Sequence, residues 1–161
     1  MGSNSQTNAL IDTFLAERQT RGFDDEVVVR DLAALTLPVL VHEVFHALWG
    51  TENLSKGAKG VVALSDELVA ELKASDVLLI GAPMYNLNVP TQLKNWFDLV
   101  ARARFTFRYT ETHPMGLIEG VSAVLISSRG GVHVGQGSDA VTPYLQAVCW
   151  WMRTKTWTTR R

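Results

Sequence analysis

The sequence predicts an α/β fold built around an open parallel sheet, and three observations carry the prediction. Val77, Leu78, Leu79 and Ile80 form a continuous apolar run after Ser75 and Asp76, the pattern of a strand covered on both faces. Ala123, Val124, Leu125 and Ile126 form a second such run. Between them, Leu93, Trp96, Phe97, Val100 and Ala101 recur at the three-and-four spacing of an amphipathic helix, with Pro90 where a first helical turn tolerates it. The 161 residues, 47% of them apolar, are enough for one domain with its own core.

Taken in order, the chain opens on small polar side chains at residues 2–8, ahead of Leu10, Ile11, Phe14 and Leu15 on one helical face. This is a helix N-terminus rich in donors, where free backbone N–H groups and the dipole favour a phosphate. An ordinary N-cap is the alternative reading. Gly22 closes that helix, and residues 26–30, with Val27, Val28 and Val29, read as a short strand. Residues 31–40 read as a loop with one turn of helix, and residues 50–62, with Gly50, Gly57 and Gly60, as a second loop. Ser65, Asp66 and Glu67 open a helix whose apolar face carries Leu68, Val69 and Leu72, and it runs into the strand at Val77. That strand ends at Pro83. Phe105, Phe107 and Tyr109 alternate with Thr106, Arg108 and Thr110 in an irregular β excursion, which Pro114 and Gly116 break. Residues 139–148 predict a helix with Pro143 near its first turn, while residues 149–161 follow neither a helical nor a strand period.

Residues 84–88 leave the carboxyl end of one predicted strand, and Ser127, Ser128, Arg129, Gly130 and Gly131 leave the end of the next. In open α/β sheets that is where ligands bind, so these loops and the N-terminal one converge on one crevice. Gly130 and Gly131 permit close approach to a planar ring, and serve equally as turn residues. A net charge of −1 leaves no electrostatic footprint for nucleic acid or an anionic membrane. No window of about 18 apolar residues exists, and the N-terminus lacks the apolar core of a signal peptide. The single cysteine, Cys149, excludes an intrachain disulfide and fits a cytoplasmic, reducing compartment. One motif points elsewhere: His42, Glu43 and His46 match H-E-x-x-H, in which two histidines one helical turn apart ligate zinc and the glutamate activates water. Against a zinc peptidase, Trp49 and Gly50 do not continue the longer pattern, and spacing places no third ligand.

Residues 82–103, then 106–110, Gly116 with Leu117, and 127–133 string several motifs in order, and together they resemble the FMN-dependent NADH azoreductases, also called NADH:quinone oxidoreductases. The resemblance covers residues 2–147 and is weakest at 42–63. It implies a flavodoxin-like three-layer fold, a single domain over residues 1–161 with 148–161 as an atypical tail, and a homodimer. It further implies that Ser5, Gln6 and Thr7 hold the FMN phosphate, that Met84, Tyr85, Asn86 and Leu87 border the isoalloxazine ring, and that Ser128, Arg129, Gly130 and Gly131 close its other side. Phe107 and His133 are then expected as walls of the substrate pocket. In such enzymes NADH reduces the flavin and a quinone or azo compound takes two electrons from it, so no catalytic acid, base or nucleophile is expected. A non-catalytic flavodoxin-like binding module is the alternative.

The sequence departs from that family in three places. Family members begin with a hydrophobic strand of about seven residues, and here Met1 stands where that strand should end. The resemblance therefore implies a chain lacking the first strand, a C-terminal strand and a last helix, as a fragment would. In the flavodoxin-like strand order the first strand lies inside the sheet, so its loss leaves two edges unpaired. Arg104 stands where the family has glycine, and a left-handed backbone there would cost arginine about 1–2 kcal/mol.

Overall fold

The computed structural model of the chain describes residues 4–50 and 52–158, the last four of these by backbone alone. Its elements are α1 (Gln6–Thr20), α2 (His42–Trp49), α3 (Lys56–Ala74), β1 (Val77–Gly81), α4 (Thr91–Val100), β2 (Phe107–Tyr109), β3 (Pro114–Gly116), β4 (Ser122–Ile126), α5 (Val141–Met152) and β5 (Lys155–Thr158). The sheet runs β1-β4-β5 with both pairs parallel, and β2 and β3 make a separate antiparallel pair. Parallel neighbours need crossovers, and α4 and α5 lie in the connections between successive sheet strands. The core gathers Leu68, Leu72, Ile80, Phe97, Leu99 and Leu125 between the helices and the sheet. These positions include the apolar stripes of α3 and α4 that the periodicity predicts.

Several expectations need correction. Residues 26–30 form no strand: Val28 and Val29 are 68% and 80% exposed, and among the described residues no strand pairs with them. Extended β-branched sequence becomes a strand only when a partner takes its backbone groups. Arg30 instead ties this segment to α3 through Glu67 and Glu71. The loop expected at 50–62 ends at Ser55, whose hydroxyl accepts from the Ala58 N–H and caps a 19-residue helix containing both Gly57 and Gly60. A good cap and the partly buried Val61 and Val62 outweigh the glycines' low helix propensity. No turn of helix forms at 31–40; an Asp31 side-chain turn bonding the Ala33 N–H stands there instead.

Pro114 and Gly116 do not break the β excursion but supply its second strand, Gly116 opposite Phe107 and Pro114 opposite Tyr109. Proline is tolerated on this short edge strand, and a Cβ at Gly116 would lie 2.4 Å from the Met152 carbonyl carbon, so the glycine lets the hairpin lie against the end of α5. Nor does the tail lack structure. Helix α5 continues to Met152, which is fully buried, and the backbone of β5 pairs with β4, so a C-terminal strand is present where none was expected. Finally, β1 is less covered than a continuous apolar run implies. It sits at one end of the β1-β4-β5 sheet, with Val77 43% exposed and only Ile80 buried.

Candidate functional site

The pairing of β1 with β4 sets Gly81 opposite Ile126 and continues past both strands. The Ala82 N–H donates to the Ile126 carbonyl at 2.8 Å, and the Met84 N–H donates to the Ser128 carbonyl at 2.9 Å. The loops that leave the two strands are thus zipped side by side. Tyr85 and Asn88 then exchange backbone bonds of 2.9 and 3.0 Å around Asn86 and Leu87, whose φ values are 49° and 66°. Two consecutive left-handed residues make this a primed turn, comfortable for asparagine and strained for leucine. Strain of this kind gathers at ligand clamps. The turn presents Tyr85 and Leu87 to solvent, 39% and 49% exposed.

The first helix docks on the same strand ends. Ser5 caps it by accepting from the Asn8 N–H at 3.3 Å, and the first turn carries no acidic side chain. Thr7 is only 2% exposed, and its hydroxyl shares a 2.6 Å hydrogen bond with that of Ser128. A Cβ on Gly81 would lie 2.7 Å from Ile11 Cδ1 and 3.1 Å from Thr7 Cγ2, so glycine is what lets the helix approach. Ser5, Gln6 and Thr7, the turn at 84–87 and the loop from Ser128 therefore stand together at the carboxyl ends of β1 and β4.

Arg129 has a second role that the sequence does not disclose. Its guanidinium donates to Asp139 at 2.8 Å and to the Thr142 hydroxyl at 2.6 Å, and the ion pair is part-buried. The side chain is committed to holding its loop against the first turn of α5. Burial alone would push the Asp139 carboxyl up. Bonds from the Thr142 N–H and hydroxyl, the Gly135 N–H and Arg129 outweigh it and hold the carboxyl below the usual carboxylate range. The one sequence signal was an aspartate just ahead of a helix.

No atom lies within 4 Å of a Cβ placed on Gly130, so the loop's upper side is open. His133 sits against Gly131, its Nδ1 hydrogen-bonded to the Ser138 hydroxyl at 2.8 Å. Phe107 is only 3% exposed, packed at centroid distances of 4.0 Å from Trp151 and 5.3 Å from Tyr109. In this chain it is a core contact, and Tyr109 is the aromatic that reaches solvent.

The H-E-x-x-H motif does form a helical turn on α2, with His42 and His46 exposed. Glu43, however, accepts a hydrogen bond from Ser55, and among the described residues no group of three or more His, Cys, Asp or Glu is placed to hold a metal. Without a third ligand the zinc-peptidase reading has no support.

Known proteins resemble this chain in sequence and fold. The sequence matches the family described as a flavodoxin-like fold over residues 1–159. It is 71% identical over 147 residues to an FMN-dependent NADH:quinone oxidoreductase 4 of Burkholderia lata, covering 91% of this chain and 74% of that protein. A relative from Aeromonas salmonicida, an FMN-dependent NADH:quinone oxidoreductase, is 57% identical over 148 residues, again covering 74% of its length. The fold superposes on the crystal structure of an azoreductase from Bacillus anthracis with a TM-score of 0.86 at 24% identity, covering 98% of this chain and 80% of that one. At that identity the superposition speaks to the fold alone. The family match over nearly the whole chain and the 71% identity place this chain in the flavodoxin-like family, among the FMN-dependent NADH:quinone oxidoreductases.

Proposed function

We propose that this chain is an FMN-dependent oxidoreductase that uses NADH to reduce quinones or azo compounds, working as a homodimer. The observation that carries the reading is the meeting of three loops far apart in sequence, held together by the Thr7–Ser128 and Met84–Ser128 hydrogen bonds.

The residues fit a flavin mononucleotide. Backbone N–H groups of the first turn of α1 lack intrahelical partners, and with no acidic side chain beside them they suit a phosphate. Ser5, Gln6 and Thr7 are the residues that would hold it. Met84, Tyr85, Asn86 and Leu87 would border one side of the flavin ring and the backbone of Ser128, Arg129, Gly130 and Gly131 the other. Bound FMN supplies the chemistry, accepting a hydride from NADH and passing two electrons to the acceptor. The protein's part is to bind and orient. The primed turn offers an exposed apolar edge, and the open side of Gly130 leaves room for a second ring to approach. His133, hydrogen-bonded to Ser138 and set against Gly131, would wall the substrate pocket.

The test is to purify the chain, titrate it with FMN by flavin fluorescence, and then follow NADH oxidation with a soluble quinone. Stoichiometric FMN binding with quinone-dependent turnover is expected. Failure of the folded chain to bind FMN would overturn the proposal, and binding without turnover would reduce the protein to a flavin-binding module.

A further inference from the structure

His42 and His46 lie outside the flavin crevice and have no part in the function proposed above. Their rings meet edge to face across one turn of α2, with centroids 4.3 Å apart and planes 64° to each other. Both side chains are exposed, and among the described residues neither ring makes a hydrogen bond or an ion pair. They line a cavity of about 460 Å³ together with Glu43, Glu52 and Asn53. Two imidazoles with unengaged nitrogens, converging in a hollow that also carries two carboxylates, form an arrangement that attracts a cation.

We propose that His42 and His46 chelate one late first-row divalent metal ion, of the zinc, nickel or copper class, as a two-histidine site with water in the remaining positions. Imidazole selects these ions over magnesium or calcium, which prefer all-oxygen ligands. Metal–nitrogen bonds of about 2.0–2.1 Å require the two ligating nitrogens to stand about 3 Å apart. Exposed rings at the observed separation reach that by rotation about their own side-chain bonds. Glu43 is engaged by Ser55, and among the described residues no third His, Cys, Asp or Glu is placed as a ligand, so Glu43 and Glu52 contribute negative charge to the hollow. With only two protein ligands the site is exchangeable and carries no hydrolytic role. Its effect falls on α2, whose eight residues follow Val41, an N-cap residue that makes no side-chain cap bond, because a metal bridging positions four apart fixes the turn that this missing cap leaves loose.

The proposal is tested on the full chain, without flavin, by equilibrium dialysis against zinc or nickel. One ion per chain is expected, with an affinity that falls at least about tenfold in His42→Ala and in His46→Ala, since losing a ligand costs no less than losing a residue that merely orients one. His113→Ala should bind as the parent does. The replaced side chains are exposed, so the variants keep the fold, which circular dichroism checks. A readout on the unaltered protein is the imidazole proton spectrum, where nickel should broaden two of the four histidines. Undiminished binding in the double variant, absence of binding to the parent, or broadening confined to the other two histidines would each overturn it.

Discussion

Arg104 shows how much one residue can carry. Its φ is 72°, just past α4, and its N–H donates to the Phe107 carbonyl at 2.6 Å to start the β2 hairpin. The backbone there is left-handed, as the comparison of arginine with glycine anticipated. A non-glycine residue in that region clashes through its Cβ at a cost of about 1–2 kcal/mol. Glycine removes the clash while adding freedom to the unfolded chain, which returns part of the gain. Arg104→Gly should therefore stabilise the protein by about 1 kcal/mol, read as a higher urea midpoint at unchanged slope. A lower midpoint would mean that the arginine side chain contributes more than its backbone strain costs. Periodicity alone could not have located this strain, because a helix end does not state the sign of φ that follows it. Leu87, at φ 66° in the primed turn, was invisible for the same reason, whereas Asn86 beside it is a residue type that tolerates the conformation.

At the scale of elements, the loop from Ser128 owes its position to a clamp on α5. Arg129 and Asp139 are 9% and 6% exposed, and the carboxylate also accepts from the backbone of Gly135 and Thr142. Because the folded carboxyl titrates below its ordinary value of 3.8, the charged form favours folding. That contribution is complete above the ordinary value and is lost as pH falls through the folded one. Asp139→Asn should cost about 2 kcal/mol at neutral pH by leaving Arg129 without its counter-charge. Acid titration followed by circular dichroism should show the difference between parent and variant shrinking below pH 3.8 and constant above about pH 5. A difference that persisted at low pH would show that the charge is not what holds the loop. Element types were legible where apolar runs were long, as in β1, β4 and α4. Boundaries were not: the start of α3 turns on the Ser55 cap, and the β3 strand on Gly116 meeting α5, a contact between residues far apart in sequence. The valines of residues 26–30 carry strand propensity, yet propensity names no partner, and without one the segment stays unpaired.

For the whole molecule, the meeting of the loops was legible as topology before it was visible as geometry. Buried strands end in polar loops, parallel strands put those ends on one side, and the loops must then meet. What topology could not supply is the bond that locks them. Thr7 and Ser128 are separated by 121 positions, and their 2.6 Å contact fastens α1 to the end of β4. Both are ordinary hydroxyl residues that periodicity leaves unmarked. Since Thr7 is buried, removing Ser128's hydroxyl alone leaves a donor or acceptor unsatisfied, while removing both leaves none. A double-mutant cycle of Thr7→Val and Ser128→Ala, read by chemical denaturation, should return a coupling of about 1 kcal/mol. The double variant should then be less destabilised than the two single changes summed. Strict additivity would show that α1 is held by the packing of Ile11 and Thr7 on Gly81 alone, and that the N-terminal and Ser128 loops share the crevice without depending on one another.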